Sequence, residues 1–259
     1  MRQSGAYERR TRSQVRLTRV YVDSDLTPGS VIELPAVAAA HLAKVLRLRS
    51  GDALLLFAGD GREFAAAVES VRGTRVTAAV GDGREVDRES PLAATLLQCI
   101  PRGDRMDWIV QKATELGVAR IVPVLSARSV VRLDALQAAS KAAHWRAVAV
   151  SACEQCGRTR LPVIEAPRPL LHYLGDSTSQ GPRLLLEPEP GTHGTVETLG
   201  AAVEIAIGPE GGFAAEELEA FRLCDFRPIR LGPRVLRTET AAIAAITWLQ
   251  TRFGDFKPD

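Results

Sequence analysis

Ile207-Gly208-Pro209-Glu210-Gly211-Gly212-Phe213 joins an apolar run, residues 203–207, to a helical pattern, residues 214–223. A buried strand that breaks at glycines and restarts as a helix is the building unit of a parallel α/β sheet. The paired glycines permit positive φ and let a ligand approach the backbone closely. The spacing is neither G-x-G-x-x-G nor G-x-x-x-x-G-K-[ST], so neither a dinucleotide fingerprint nor a P-loop is present. A second loop repeats the Gly-Pro signature after a strand ending at Ile229. It reads Leu231-Gly232-Pro233-Arg234-Val235-Leu236-Arg237-Thr238-Glu239-Thr240. Thr238 is expected to cap the following helix, and Glu239 suits its positive end. Two such loops at neighbouring strand ends predict a cleft lined by backbone groups. It suits an uncharged ring and ribose better than a polyphosphate, since no P-loop lysine is present.

Outward from these loops the strand–helix rhythm continues. Residues 92–100 form a continuous apolar strand, then Asp104 is placed to cap a helix with the stripe Trp108, Ile109, Ala113 and Leu116, closed by Gly117. Strands follow at 120–125, 184–186 and 203–207, and helices at 135–152, 214–223 and 238–253. This alternation predicts a mainly parallel sheet with helices on both faces and ligands at the carboxyl ends of its strands.

The amino-terminal third reads differently. Short strands are expected at 17–22, 30–34, 53–57, 63–68 and 75–80, with a helix from Pro35 to Leu48 whose stripe is Val37, Leu42, Val45 and Leu46. Strands at this spacing suggest a small barrel. Residues 81–91 are polar, contain two glycines and end in proline, which marks them as a linker.

Composition narrows the classes. The 259 residues are 46% hydrophobic and 25% charged, the mix of a globular protein rather than a disordered one. No apolar run reaches the roughly 18–20 residues of a membrane helix, and no apolar stretch follows the basic start, so a secretory signal is not expected. The formal net charge is +2, yet residues 1–20 hold six arginines against one glutamate, leaving the remainder net negative. Nucleic-acid binding by the folded body would therefore need local patches, with the basic tail as an accessory. Four cysteines without an export signal suggest free thiols in a reducing cytoplasm. Cys153 and Cys156 form a C-x-x-C, but no second ligand pair stands at zinc spacing and His41, His144, His172 and His193 are scattered.

A polar constellation completes the reading: Arg102, the segment from Gln111 to Gly117, Arg128-Ser129, and Glu154-Gln155-Cys156-Gly157-Arg158. Taken singly, each suits a solvated surface. Lys112 and Glu115 are one helical turn apart, a common surface pair of small worth.

Taken in order, these segments resemble one family. L-R-L-R-S-G-D, R-G-D-R-M-D-W-I-V-Q-K-A-T-E-L-G-V, A-C-E-Q-C-G-R-T-R-L-P, I-G-P-E-G-G-F and L-G-P-R-V-L-R-T-E-T-A-A-I are similar to the motifs of the bacterial ribosomal small-subunit RNA methyltransferase E family, from about Arg19 to Gly254. Residues 1–18 lie outside the match, and Ala214 stands where a capping serine is expected. The resemblance implies an α/β chain: a basic tail 1–17, a small PUA-like RNA-binding β-barrel 18–84, and a SPOUT α/β methyltransferase domain 85–259 with a trefoil knot. It implies a homodimer that uses S-adenosyl-L-methionine to methylate N3 of one uridine in 16S rRNA within the small ribosomal subunit. The cofactor residues expected on this basis are Leu186, Glu187, Ile207, Gly208, Gly211, Gly212, Leu231, Gly232, Val235 and Leu236. Glu115 is the candidate base, with Lys112 and Arg237 stabilising the uridine anion. Arg47, Arg102, Arg128 and Arg158 are expected to hold RNA phosphates, and no metal is expected. The alternatives are a SPOUT enzyme for another RNA, or a non-catalytic RNA-binding assembly factor that would not need both glycine loops intact.

Overall fold

The computed structural model describes residues 17–129, 131–176, 181–187 and 196–258. The expected basic tail, Leu17 apart, lies outside the described residues, as does His193. The chain divides into two compact units, one formed by residues up to Ala58 with Arg62–Arg84, the other by Gly59–Gly61 with Glu85–Asp259.

The first unit contains β1 (Thr18–Tyr21), β2 (Val31–Glu33), α1 (Ala36–Lys44), β3 (Ala53–Phe57), β4 (Arg62–Arg72) and β5 (Arg75–Glu85). They form one five-stranded sheet in the order β1-β3-β4-β5-β2. Alternate residues of β3, β4 and β5 (Leu54, Leu56, Phe64, Val68, Val76 and Ala78) share a core with Ala39 and Leu42 of α1, as period-2 strands dictate. The expected α1 stripe is corrected: Val37, Val45 and Leu46 are exposed. The helix stops at Lys44, and Arg47, at φ 54°, turns the chain away before Val45 and Leu46 can join the buried face. Glu63 is buried and receives hydrogen bonds from Arg19 and from Nε of Arg84 at 3.0 Å.

The expected linker is shortened: the division between the units falls inside it, after Arg84, and residues 86–91 lie outside any strand or helix, but its first half is strand. β5 is one eleven-residue strand that runs through Gly81 and Gly83. A Cβ at Gly83 would lie 2.5 Å from the Phe64 ring, and one at Gly81 would lie 2.9 Å from the Ala65 carbonyl oxygen. These glycines serve close packing of β5 on β4 rather than a turn.

The second unit continues with β6 (Ala93–Cys99), α2 (Arg105–Glu115), β7 (Arg120–Leu125), α3 (Ala135–Cys156), β8 (Val163–Ile164), β9 (Arg168–Pro169) and α4 (Leu170–Asp176). It closes with β10 (Arg183–Leu186), β11 (Ala202–Ile207), α5 (Ala215–Leu223), β12 (Phe226–Ile229) and α6 (Thr238–Phe253). The sheet order is β12-β10-β11-β6-β7-β8, with β9 also on β7, and every pairing is parallel. One face packs Leu96, Ile205 and Ile121 with Ile109, Trp145 and Ile246 of α2, α3 and α6. The other packs Leu97, Val122 and Ala206 with Tyr173 and Phe221 of α4 and α5. Burial on both faces explains the mostly apolar runs of β6 and β11, in which the polar Gln98 and Glu204 are themselves buried.

Two local expectations on α2 change. Asp104 occupies the N-cap position at φ −90° and ψ 9° but its side chain makes no capping bond. Trp108 is 43% exposed, and the buried face is Met106, Ile109, Val110, Ala113 and Thr114. The α2–α3 contact is instead polar at its edge, where Asp107 accepts from Trp145 Nε1 at 3.0 Å and pairs with His144 at 2.7 Å. α3 is longer than its pattern suggested. It opens with a reciprocal Asp134–Gln137 capping box and ends on Gly157 at φ 94°.

Candidate active site

Register sets the site. Gln98 of β6 pairs with Ile207, Ile207 with Leu186, and Leu186 with Ile229, so four parallel strands end on one line. The end of β10 with Glu187, and the loops leaving β11 and β12, therefore converge on a cleft of about 350 Å³, near the lower end of the range of small-molecule sites.

Of the ten expected cofactor residues, nine line this cleft: Leu186, Glu187, Ile207, Gly208, Gly211, Gly212, Leu231, Val235 and Leu236. Gly232, at φ 71°, shapes the third loop without contributing to the wall. Arg237 also lines the cleft, as do Glu210, Phe213 and Arg128. Gly208 leaves little room for a side chain, because a Cβ there would lie 3.0 Å from the Phe213 ring, which would have to shift. Gly212 holds φ 66°, a conformation glycine adopts without strain.

Hydrogen bonds fix the loops to one another. Thr238 donates from Oγ1 to the Gly208 carbonyl at 2.8 Å and accepts from Gln98 Nε2 at 3.0 Å. Thr238 is thus not the helix cap; Arg237 takes the N-cap position with no side-chain capping bond. Arg105, at the start of α2, donates to Glu210 at 2.6 Å and lies 3.8 Å from Glu239. Arg128 donates to the Gly211 carbonyl at 2.9 Å. The buried Glu217 carboxylate accepts from the Ala127 N–H at 2.7 Å and the Ala214 N–H at 2.8 Å. Sequence reading anticipated none of these ties.

The structure does not bring Glu115 and Lys112 to the cleft. They pair with each other at 2.9 and 3.0 Å on the last turns of α2. Arg105 marks the cleft end of that helix. Ten residues at 1.5 Å each place Glu115 about 15 Å further along the axis.

The expected RNA contacts divide by burial. Arg47 and Arg128 are exposed, and so is Arg102, whose backbone N–H reaches Glu210 at 3.4 Å. Arg158 is corrected: it is 5% exposed, and it donates to the carbonyls of Thr114 at 2.9 Å and Val118 at 3.0 Å and to Glu89 at 3.1 Å. Its donors are committed inside the fold, where they close the end of α2. All four cysteines are free thiols. Among the described residues no group of three or more His, Cys, Asp or Glu is arranged to hold a metal ion. No helix there is long and apolar enough to cross a membrane.

A cleft at the carboxyl edge of a parallel sheet, in a chain that also carries a small β unit, defines a class when set against known proteins. Residues 88–250 match the RNA methyltransferase domain family, and residues 38–80 match the RNA methyltransferase PUA domain family. The chain is 32% identical to the ribosomal RNA small subunit methyltransferase E of Buchnera aphidicola, over 93% of its own length and 96% of that relative. It is 30% identical to the Bacillus subtilis protein of the same name, over 86% and 93%. A Neisseria gonorrhoeae ribosomal RNA small subunit methyltransferase E, solved with S-adenosyl methionine, superposes with a TM-score of 0.85 at 36% identity, covering 93% of this chain and 100% of that one. A Legionella pneumophila methyltransferase solved with the same cofactor gives 0.86 at 38% identity, with the same coverage. The chain belongs to the ribosomal RNA small subunit methyltransferase E family, and its fold is the PUA-plus-SPOUT α/β architecture that the motif resemblance implies.

Proposed function

We propose that this protein uses S-adenosylmethionine to methylate ribosomal RNA, and that its target is N3 of a uridine in the 16S RNA of the small subunit. The observation that carries the reading is the cleft itself, with nine of ten residues expected for the cofactor on its wall. The donor set fits the molecule. Leu186, Ile207, Leu231, Val235 and Leu236 supply apolar walls for a ring. Gly208, Gly211 and Gly212 expose backbone groups, and the carboxylates of Glu187 and Glu210 oppose a positive sulfonium. S-adenosylmethionine, when bound, supplies an activated methyl group.

The chain's own task is to present the base. Uridine N3 carries a proton at neutral pH, and its loss spreads negative charge onto the flanking oxygens. Arg237, on the cleft wall at the N-terminus of α6, is the cation placed to stabilise that charge. The base must leave any stack to enter such a cleft. Arg47, Arg102 and Arg128 hold phosphates in this reading, since a body of net negative charge needs local contacts. A homodimer acting in the cytoplasm completes it.

The test is a nucleoside mass map of small-subunit RNA from cells with and without the gene, paired with methyl transfer by the purified protein onto 16S RNA and onto assembled subunits. The expected result is loss of one 3-methyluridine and its restoration in vitro. An unchanged map overturns the uridine assignment, and a missing methyl group at another position redirects it to another RNA site.

A further inference from the structure

We propose that Glu217 is a positioning residue for the cofactor cleft, acting through Arg128; the inference rests on the assignment of that cleft to S-adenosylmethionine. Glu217 lies on α5, is 2% exposed and does not line the cleft. Its two carboxylate oxygens take different partners. One accepts the N–H of Ala127 at 2.7 Å, in the turn after β7. The other accepts the N–H of Ala214 at 2.8 Å, where the glycine loop passes into α5. One buried carboxylate therefore clasps two loops that are distant in sequence.

What is clasped next to Ala127 is Arg128. Its guanidinium donates to the Gly211 carbonyl at 2.9 Å and forms part of the cleft wall. The same turn is stiffened by Ser126 and Ser129, both buried, whose hydroxyls lie 3.1 Å apart while the Ser126 N–H donates to Ser129 Oγ at 3.0 Å. The glycine loop thus has two fastenings on the same turn: Glu217 at its helical end and Arg128 at Gly211. Two acceptor oxygens are needed, and only a carboxylate offers them without a donor. Glutamine retains one acceptor and turns an NH2 group toward the second backbone N–H. A buried carboxylate would otherwise avoid such a site, since burial without partners is costly.

The experiment is calorimetric titration of S-adenosylmethionine into the full chain, its Glu217→Gln and Arg128→Ala variants, and the double variant, together with amide exchange of the cofactor-free wild type. We expect Glu217→Gln to weaken binding about tenfold or more and Arg128→Ala by a similar factor. The double variant should bind within about twofold of Arg128→Ala alone, a non-additivity that a general loss of stability would not produce. In the wild type, the amides of Ala127 and Ala214 should be protected together. Wild-type affinity in Glu217→Gln, multiplicative losses in the double variant, or unprotected Ala127 and Ala214 amides would each overturn the proposal. If Glu217→Gln does not fold, Arg128→Ala and the wild-type exchange pattern still decide it. A wild type that binds no S-adenosylmethionine overturns the cofactor reading instead, and the exchange pattern tells the two failures apart.

Discussion

The hydroxyl of Thr238 donates to the carbonyl of Gly208 at 2.8 Å and accepts from the Gln98 amide at 3.0 Å. One short chain of hydrogen bonds thus ties the end of β6, the glycine loop and the start of α6. Thr238 and Gln98 are both buried, so removing the hydroxyl leaves polar partners without water to replace it. Thr238→Val should cost about 1–3 kcal/mol of stability. It should also weaken S-adenosylmethionine binding, because Gly208 and the Arg237 side of the cleft lose their common anchor. Thermal melts and calorimetric titration of the same sample check both effects, and an unchanged affinity would detach the hydrogen-bond chain from the cleft.

The glycine loop gives a cleaner separation of binding from folding. A Cβ at Gly211 would make only an ordinary contact of 3.7 Å with Cβ of Arg128. The backbone there is not in the left-handed region, so the fold tolerates a side chain. Gly211→Val should therefore melt within a few degrees of wild type while losing cofactor binding, since its branched methyls occupy the wall. Gly212 sits at φ 66°, and Gly212→Ala adds strain of about 1 kcal/mol. Gly212→Ala should lower the melting temperature by a few degrees and keep more of the affinity than Gly211→Val does, measured by scanning calorimetry and titration.

In the amino-terminal unit, Glu63 links acid stability to one carboxylate. Burial pushes its pKa up, but hydrogen bonds from Arg84 and Arg19 outweigh that and hold it below the ordinary 4.5. A depressed folded pKa means the unfolded chain binds the proton first. The contribution is complete above the ordinary carboxylate value and disappears as pH falls through it toward the folded value. Glu63→Gln should cost about 3 kcal/mol or more at pH 7, because Arg19 is also buried. Its stability should then depend less on pH than the wild type's below about pH 5. Denaturant melts of both proteins at several pH values check this.

How far the residues disclosed this architecture can be judged element by element. The runs at 92–100 and 203–207 are readable because both faces of β6 and β11 are covered, so that apolar residues dominate and only Thr95, Gln98 and Glu204 interrupt them. The cleft was readable because glycine and proline punctuate the strand ends that line up there. Glu217 was not, since its partners are backbone N–H groups, one of them 90 residues away, and backbone groups carry no sequence signal. Arg158 had the right chemistry for phosphate, yet its partners Glu89, Thr114 and Val118 are 40 to 69 residues distant and only folding joins them. Gly81 and Gly83 looked like a linker because a glycine needed for close packing and one needed for a turn are the same letter.

Cys156 should be the reactive thiol of the chain. A hydrogen bond from Cys153 lowers its pKa, burial opposes this, and the Arg158 backbone and guanidinium add to the lowering, which brings it down to about 6. Cys153 is correspondingly pushed up, and Cys99 is raised by burial. At neutral pH Cys156 is then largely thiolate while Cys99 and Cys153 are protonated and buried. Iodoacetamide should label Cys156 first, with a rate that climbs through about pH 6 and levels off above pH 7. Cys153→Ala should shift that rise to higher pH, read by peptide mass spectrometry.

The last prediction divides the catalytic work between Arg237 and Glu115. Arg237 lines the cleft. Glu115 pairs with Lys112 toward the other end of α2 from Arg105, the residue that reaches Glu210. If stabilising the uridine anion is the main demand, Arg237→Ala should cut the single-turnover rate by roughly a hundredfold or more with cofactor affinity largely kept. Raising pH should recover part of that loss, because uridine ionises without help at high pH. Glu115→Gln should stay within a few-fold of wild type at every pH, since a half-buried one-turn pair away from the cleft wall does not touch the reacting base. A Glu115→Gln enzyme that folds and binds cofactor normally, yet loses a hundredfold in rate and regains it with pH, would place a general base at the far end of α2. That end would then have to serve RNA held by a second copy of the chain, and the cleft of a single chain would be incomplete.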